Sequence, residues 1–312
     1  MSAHNEHGER PAEVLFGERL TRRDHLRRSA MLSGPGFLWV VIFLFLPLLF
    51  MVGISVLSRG AAGEISLTFT WENFQRFAGF GELGFDPMYP TIILRSLVLG
   101  LATTAICLVM AFPLTFFIAG LRSPLKNLAL TLVVIPLWTN LLIRTYAWQI
   151  LLAGDGWLAR AAAWVGLTGA GEALYPGTLA VYTGMVCDFL PFLVLPLYAS
   201  VEKMDWSIVE AAMDLGANGW RVFQHAVLPQ VKPGVAAGCI LTFIPAMGTF
   251  VIPDLLGGSK TMLLGNAIQQ QFGPSRDWPF GAAITLLAVV IVMLGLWLFY
   301  RLDAKRGEGM IL

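Results

Sequence analysis

The chain has 312 residues, of which 56% are hydrophobic and only 13% are charged, and its formal net charge is +1. Soluble domains are about 45–50% apolar and about 25% charged, so this composition indicates an integral membrane protein. The small net charge excludes the bulk positive field that attracts nucleic acid. Cys107, Cys187 and Cys239 all lie in apolar stretches, which argues against a disulfide framework and against a metal site.

Six apolar stretches are long enough to cross a membrane, which takes about 20 residues. In chain order they are Gly34–Leu57, Ile93–Leu121, Leu128–Leu152, Thr178–Ala199, Gly234–Leu256 and Gly281–Tyr300. The first exceeds the core of a signal peptide, about 7–15 residues, and predicts an uncleaved span. The segment 156–169 is too short to span and predicts an amphipathic helix at the membrane surface. The sequence thus predicts an all-α integral membrane protein with one six-helix domain, 34–300.

The distribution of basic residues near the ends of these stretches predicts their orientation. Arginine is frequent in the N-terminal tail, 1–33, and basic residues recur after the second stretch and in the C-terminal tail, 301–312. The loops on the opposite side hold few. Both termini are therefore predicted to be cytoplasmic, together with the loop 203–230 between the fourth and fifth stretches.

That loop begins with a pattern typical of a short amphipathic helix. Asp205 or Ser207 can cap its start. An apolar residue recurs at positions i, i+3, i+4 and i+7, which predicts one apolar helix face formed by Ile208, Ala211, Ala212 and Leu215. Glu210 and Asp214, four residues apart, share the other face. Because this acidic face would be repelled by anionic lipid, a protein partner is a better interpretation than a membrane surface.

A glycine turn and a second short helix follow. Gly216 provides the positive φ that ends the first helix, and Asn218 is a good cap for the second. Trp220, Phe223 and Val227 continue an apolar face, and Pro229 is predicted to end the second helix because it has no N–H to donate. His225 has no partner for metal binding or catalysis in the sequence and is interpreted as a surface contact.

The whole segment resembles the cytoplasmic signature of ABC importer permeases: E-A-A-x-x-x-G, then nine residues, a position that is usually Ile, one more residue and L-P. Here it reads Glu210-Ala211-Ala212, Gly216, Ala226 in place of the isoleucine, and Leu228-Pro229. Four further strings resemble the spermidine/putrescine branch of this family over about residues 35–300. They are NLLIRTYAW (140–148), DFLPFLVLPLYASVEKMD (188–205), FIPAMGTFVIPDLLGG (243–258) and RDWPFGAA (276–283).

The resemblance implies the type I ABC importer permease fold, in which the loop 203–230 forms coupling helices that sit in a cleft of a separate ATPase subunit. We call this segment the coupling loop. The residues implied in ATPase coupling are Glu210, Ala211, Ala212, Asp214, Gly216, Trp220, Leu228 and Pro229.

The resemblance also implies partners and an activity. The partners are a cytoplasmic ATPase dimer that binds ATP and Mg, a second, paralogous permease subunit, an extracytoplasmic substrate-binding protein and the bilayer of the bacterial inner membrane. The chain would then bind no cofactor, would not be an enzyme, and would translocate polyamines by alternating access. Related branches carry other amines or amino-acid derivatives, so these remain the alternative substrates.

Four residues are candidates for the substrate pathway: Asp188, Asp254, Asp277 and Trp278. Asp188 lies inside the fourth stretch, where a carboxylate either meets a substrate ammonium in the pathway or pairs with a neighbouring helix or water. The other three lie at outer helix ends, where they would meet an incoming cation first. Capping and interface anchoring are the alternatives there. Arg95 and Arg144, near outer helix ends, are interpreted as snorkelling to the interface.

Other classes of protein fit the sequence less well. The string LGGSKT at 256–261 is not a phosphate-binding loop, because that motif places glycine immediately before lysine. A secondary transporter usually shows internal repeats and buried ion-binding charges. A membrane enzyme would need clustered His, Asp or Cys, and the chain has only four histidines, three of them in the N-terminal tail.

Overall fold

A computed structural model of the chain describes residues 22–60, 63–81, 84–166, 169, 171–258 and 262–307. Its helices are α1 Arg22–Ser55, α2 Glu72–Phe77, α3 Met88–Ala119, α4 Ser123–Trp138, α5 Leu141–Leu152, α6 Trp157–Trp164, α7 Thr178–Glu202, α8 Trp206–Asp214, α9 Gly219–Val222, α10 Leu228–Gly248, α11 Val251–Gly257, α12 Leu264–Phe272 and α13 Trp278–Gly307. Packing divides the chain into two compact units, 1–53 and 54–312.

Five described helices are long and apolar enough to cross a membrane. They are Ser33–Ser55, Met88–Ala119, Thr178–Glu202, Gly219–Gly248 and Trp278–Trp297. The first, second, fourth and sixth predicted stretches correspond to four of these with shifts of a few residues at their ends. The predicted tails 1–33 and 301–312 lie partly outside the described residues, and so do Ser259, Lys260 and Thr261 of the LGGSKT string.

The third predicted stretch is two helices rather than one. Only when α4 and α5 are taken together are they long and apolar enough to cross a membrane. The two helices meet at an angle of 99°. Between them Thr139 (φ −85°, ψ 147°) and Asn140 (φ −63°, ψ 132°) have extended backbones. The Asn140 side chain accepts a hydrogen bond from Leu142 N at 2.8 Å and so caps α5. We call Thr139 and Asn140 the α4–α5 break.

The helix that corresponds to the fifth predicted stretch begins fifteen residues before the predicted start at Gly234, and Pro229 does not end a helix as predicted. One continuous helix runs from Gly219 to Gly248. A π-helical turn at Phe223–Val227 separates α9 from α10, and in it Leu228 N donates to Phe223 O, five residues back. This wider turn accommodates Pro229, which has no N–H and whose ring would crowd a regular helix. The observed helix also ends before the predicted end at Leu256, because α10 stops at Gly248 and α11 is a separate short helix.

The core of the larger unit lies where α7 packs against α10 and α3. Leu193, Val194 and Leu197 of α7 are fully buried there, together with Cys107 of α3. A side chain at Gly238 of α10 would place its Cβ 3.0 Å from Leu193 O, tighter than most Cβ contacts, so glycine favours this close approach of α10 to α7.

Among the described residues between α1 and α3 there are four short strands, which the sequence did not indicate. β1 (Leu57–Arg59) pairs antiparallel with β2 (Ile65–Phe69), and β3 (Phe80–Gly81) with β4 (Gly84–Phe85). Asn73 of α2 donates from Nδ2 to Ser55 O and Leu57 O at 2.8 and 2.9 Å, which fixes α2 against the first hairpin. The predicted surface helix at 156–169 is α6, with Trp164 90% exposed.

Candidate functional site

The coupling loop is built from capping interactions that the sequence predicted. Asp205 Oδ1 accepts a hydrogen bond from Ser207 N at 2.9 Å at the start of α8. Hydrogen bonding from the side chain and the backbone of Ser207 holds the pKa of Asp205 below its usual value. Gly216 ends α8 with φ +79°. Gly216 N donates to Met213 O at 2.9 Å and Ala217 N to Ala212 O at 3.2 Å, the two bonds of a Schellman motif.

The predicted apolar face of α8 is wrong by one residue. Val209 is 6% exposed and, with Ala212, packs against the core. Ile208 and Ala211 are exposed, and Leu215 is 89% exposed. Periodicity finds that one face is apolar, but the angle at which α8 meets the rest of the chain decides which residues point inward.

Five large apolar side chains of the coupling loop are therefore left on the surface. They are Trp206, Ile208, Met213, Leu215 and Trp220, and we call them the coupling face. Glu210 and Asp214 are exposed on the same short helix. Clustered exposed apolar residues bordered by charge mark interaction sites on proteins.

The second half of the coupling loop is fixed to the core. Asn218 accepts from Arg221 N at 2.9 Å and caps α9 as predicted. The Phe223 ring meets Phe112 of α3 edge-on at 5.7 Å, and Trp220 stacks on Phe223. Ala226, the departure from the family pattern, is buried within the chain, and Leu228 and Pro229 are half-buried. Ala226 therefore packs in the core, whereas Leu228 and Pro229 remain partly accessible.

Gln230 joins the two ends of the coupling loop, and sequence reasoning missed it. Its Oε1 accepts from Asp205 N at 2.8 Å, and its Nε2 donates to Asp205 O at 3.3 Å and to Ala226 O at 2.8 Å. The partners Asp205 and Gln230 are 25 residues apart, so no local pattern signals the contact. The start of α8 is thereby tied to the start of α10.

Asp188 of α7 is buried and paired. It is 4% exposed, and its Oδ1 forms an ion pair with Arg144 Nε of α5. Arg144 Nη1 also donates to Pro136 O of α4. Arg144 therefore does not snorkel to the interface as predicted, because a carboxylate and a helix-end carbonyl hold it inside the chain. Of the two interpretations of Asp188, the structure contains the pairing with a neighbouring helix.

Asp277 is also buried and paired with other residues of the chain. It is 2% exposed, its Oδ2 lies 2.9 Å from Arg76 Nη1 of α2, and its Oδ1 accepts from Phe280 N at 3.3 Å. The Arg76 guanidinium lies over the Phe280 ring, 4.1 Å from its centroid. Asp277 thus caps α13 and anchors α2, which is the capping alternative of the sequence analysis.

The remaining two pathway candidates lie at the starts of two different helices. Asp254 is exposed in the first turn of α11, and Trp278, at the start of α13, meets Phe272 edge-on at 5.9 Å. In the part of the chain that the structure describes, no group of three His, Cys, Asp or Glu residues could hold a metal ion.

Comparisons with known proteins agree with this architecture. The family model for the binding-protein-dependent transport system inner membrane component matches residues 27–308. The chain is 40% identical over 263 residues to the spermidine/putrescine transport system permease protein PotB of Escherichia coli K12, covering 84% of this chain and 93% of that protein. The PotB of Haemophilus influenzae is 37% identical over 265 residues, covering 85% and 90%.

A solved structure shows the same fold. It is a crystal structure of a bacterial ABC transporter involved in the import of the acidic polysaccharide alginate, with a TM-score of 0.66 at 15% identity, covering 91% of this chain and 98% of the matched chain. With the family match over most of its length, the chain belongs to the binding-protein-dependent transport system inner membrane components, the inner-membrane permease subunits of ABC importers.

Proposed function

We propose that this chain is the permease subunit of an ATP-driven importer that moves polyamines, cations of the spermidine and putrescine class, across the inner membrane. The observation that carries the proposal is 40% identity to a spermidine/putrescine permease over 84% of the chain. The chain itself supplies the membrane path, while ATP and Mg are bound by the separate ATPase subunits.

The proposal includes the assembly and its orientation. The partners are a cytoplasmic ATPase dimer, a second, paralogous permease subunit and an extracytoplasmic substrate-binding protein. The tails 1–33 and 301–312 and the coupling loop 203–230 lie in the cytoplasm, and 34–300 is the membrane domain. The coupling face and Glu210 then meet the ATPase. Their exposure on a cytoplasmic loop supports this assignment, because soluble loops rarely leave several large apolar side chains uncovered.

The route by which ATPase movement reaches the membrane follows from the packing. Gln230 ties the start of α8 to α10, and Phe223 packs on α3 through Phe112. The helix Gly219–Gly248 has 30 residues and is therefore about 45 Å long. A displacement of the coupling loop at one end of this helix moves its other end, where the chain breaks before α11. In alternating access, this movement of the helix Gly219–Gly248 opens the pathway outward and then inward.

The test is uptake by the reconstituted transporter. The chain is assembled in proteoliposomes with its ATPase, second permease and binding protein, and ATP-dependent uptake of labelled spermidine and putrescine is measured. A zwitterionic amino acid and a monoamine serve as comparison substrates. Uptake of both polyamines well above the comparison substrates is expected. Preferred uptake of the amino acid or monoamine would replace the polyamine assignment with the alternative substrate class.

A further inference from the structure

The α4–α5 break places irregular backbone deep in the membrane. The apolar part of α4 begins at Leu128, about three turns or about 16 Å before Thr139. Just before it, Lys126 lies 3.7 Å from Glu202 at the end of α7 that leads into the coupling loop. Since the hydrocarbon core is about 30 Å thick, the break lies near its middle.

Two successive extended residues leave polar groups at the break. The last carbonyls of a helix have no regular intrahelical donor, and at the end of α4 the Thr139 N–H donates to Pro136 O at 3.3 Å. Pro136 O is satisfied by Thr139 Oγ1 at 2.7 Å and by Arg144. The end of α4 carries the negative end of the helix dipole, which favours a cation there.

These groups are exposed on the surface of the chain. Thr139 and Asn140 are exposed, Trp138 is 79% exposed, and α4 has no buried residue among those described. Lipid tails cannot hydrogen-bond, so irregular backbone at this depth has to line a water-filled cavity or be covered by protein. The break therefore does not face lipid.

A crevice opens beside the break. It has a volume of about 460 Å³ and is lined by apolar residues of α4, α5 and α7, together with Pro136 and Arg144. This volume falls within the about 300–1,000 Å³ of small-molecule sites. The crevice walls are mostly apolar, and the exposed Trp138 ring lies outside that lining, at the end of α4. Apolar walls and a nearby indole suit an aliphatic chain that carries an ammonium group, through hydrophobic and cation–π contact.

The charge of this region is balanced. Arg144, one turn into α5, would repel a cation at the break, but its ion pair with Asp188 offsets that charge. Asp188 thus acts on the pathway through Arg144. Its removal would leave a buried, uncompensated positive charge beside the break.

We propose that Trp138, Thr139 and Asn140 form a subsite of the translocation pathway that receives an ammonium group of the cargo, with the methylene chain in the adjacent crevice. Asp188 is the positioning residue that holds Arg144 and keeps the subsite electrically neutral. The inference rests on the proposed function, since it names where the polyamine passes. Its competitor, burial of the break against the second permease subunit, predicts no water at Thr139.

Cysteine labelling separates these cases. Thr139→Cys and Val109→Cys are made in a chain whose native cysteines are replaced by alanine, and the whole transporter in proteoliposomes is treated with a membrane-impermeant maleimide. Val109 is the matched control because it is 73% exposed on a regular helix, α3. We expect Thr139→Cys to be labelled at least about tenfold faster, because thiol labelling needs water, and spermidine to slow that labelling at least about threefold.

The outcomes distinguish the two levels of the proposal. Labelling of Thr139→Cys at the rate of Val109→Cys, or labelling that spermidine does not change while the transporter still takes up spermidine, would overturn the subsite alone. A transporter without cysteine replacements that takes up no polyamine would overturn the proposed function and the subsite with it.

Kinetics provide a second measurement that does not depend on the cysteine background. Trp138→Leu should raise the KM for spermidine about tenfold, as loss of a desolvated cation–π contact does. Trp164→Leu, at the 90% exposed tryptophan of α6, should leave it unchanged. Asp188→Asn should raise the KM for trivalent spermidine more than for divalent putrescine, and Asp188→Asn with Arg144→Gln should reverse that difference. Equal KM values in Trp138→Leu and Trp164→Leu would contradict the subsite.

Discussion

The coupling loop and the arginine–carboxylate pairs use polar residues in opposite ways. In the coupling loop, short-range hydrogen bonds satisfy the backbone, and Glu210, Asp214 and the coupling face remain exposed. Asp188 and Asp277 are instead buried against Arg144 and Arg76, which lie on other helices. Exposed groups are available to a partner, whereas the groups of a buried ion pair already bind each other within the chain. The difference separates residues that we propose act between subunits from residues that hold helices together.

The largest effect is expected from breaking a buried pair. Arg144→Leu leaves the Asp188 carboxylate unpaired among apolar side chains, and breaking a buried pair in this way costs about 3–5 kcal/mol. Membrane yield and thermal stability in detergent should fall sharply. Arg144→Leu with Asp188→Leu is the matched control and should recover most of the loss, because neither charge is then left without a partner. Equal stability of the single and double variants would show that the pair does not hold α5 to α7.

Gly216 should show the next largest effect, on coupling rather than on folding. Its φ of +79° is strained for a β-branched residue, so Gly216→Val should distort the end of α8 at a cost of about 1–3 kcal/mol. Uptake should fall while the protein stays in the membrane. Gly219→Ala is the control, because that glycine has no positive φ and open space around it. Wild-type uptake by Gly216→Val would remove the Schellman turn from the coupling mechanism.

These capping positions were predictable from sequence, and the reason is their short range. Asp205, Gly216 and Asn218 each act on backbone groups within a few residues, so residue type and spacing suffice. Five of the six predicted spans likewise correspond to described helices that could cross a membrane, the fifth with shifted ends, because length and hydropathy alone define a span. The coupling function of these residues stays a prediction.

Other features depend on contacts that spacing does not encode. The angle at which α8 packs on the rest of the chain decides which of its residues are buried. Val209 is buried, whereas the predicted Ile208 is exposed. The π turn before Pro229 allows a helix to pass a residue that usually stops one. The α4–α5 break had a local signal, Thr139-Asn140 shortly after Pro136, but a long apolar run outweighed it. The partners of Asp188 and Asp277 come from other helices and could not be read from sequence.

Gln230 tests whether the coupling loop acts as one body with α10. Gln230→Leu removes the two hydrogen bonds that join the loop's ends and a third, local one to Ala226 O, and it leaves Asp205 N without its acceptor, at a cost of about 1–3 kcal/mol. ATP hydrolysis should continue while uptake per ATP falls. Gln224→Leu, at an exposed position of the π turn, is the control and should leave the ratio unchanged. An unaltered ratio in Gln230→Leu would show that Gln230 is not the connection.

The smallest effect is expected at the exposed charge. Glu210 lies on the surface of α8, so its contribution to ATPase binding is that of a rim charge, about 0.2–1 kcal/mol, and reversal adds repulsion. Glu210→Lys should weaken co-purification of the ATPase about tenfold or less, with a larger defect at low salt than at high salt, because screening removes long-range repulsion. Glu64→Lys, an exposed glutamate in the loop between β1 and β2, is the control. If ATPase binding by Glu210→Lys matches that control at every ionic strength, Glu210 does not face the ATPase, and the partner surface reduces to the apolar coupling face.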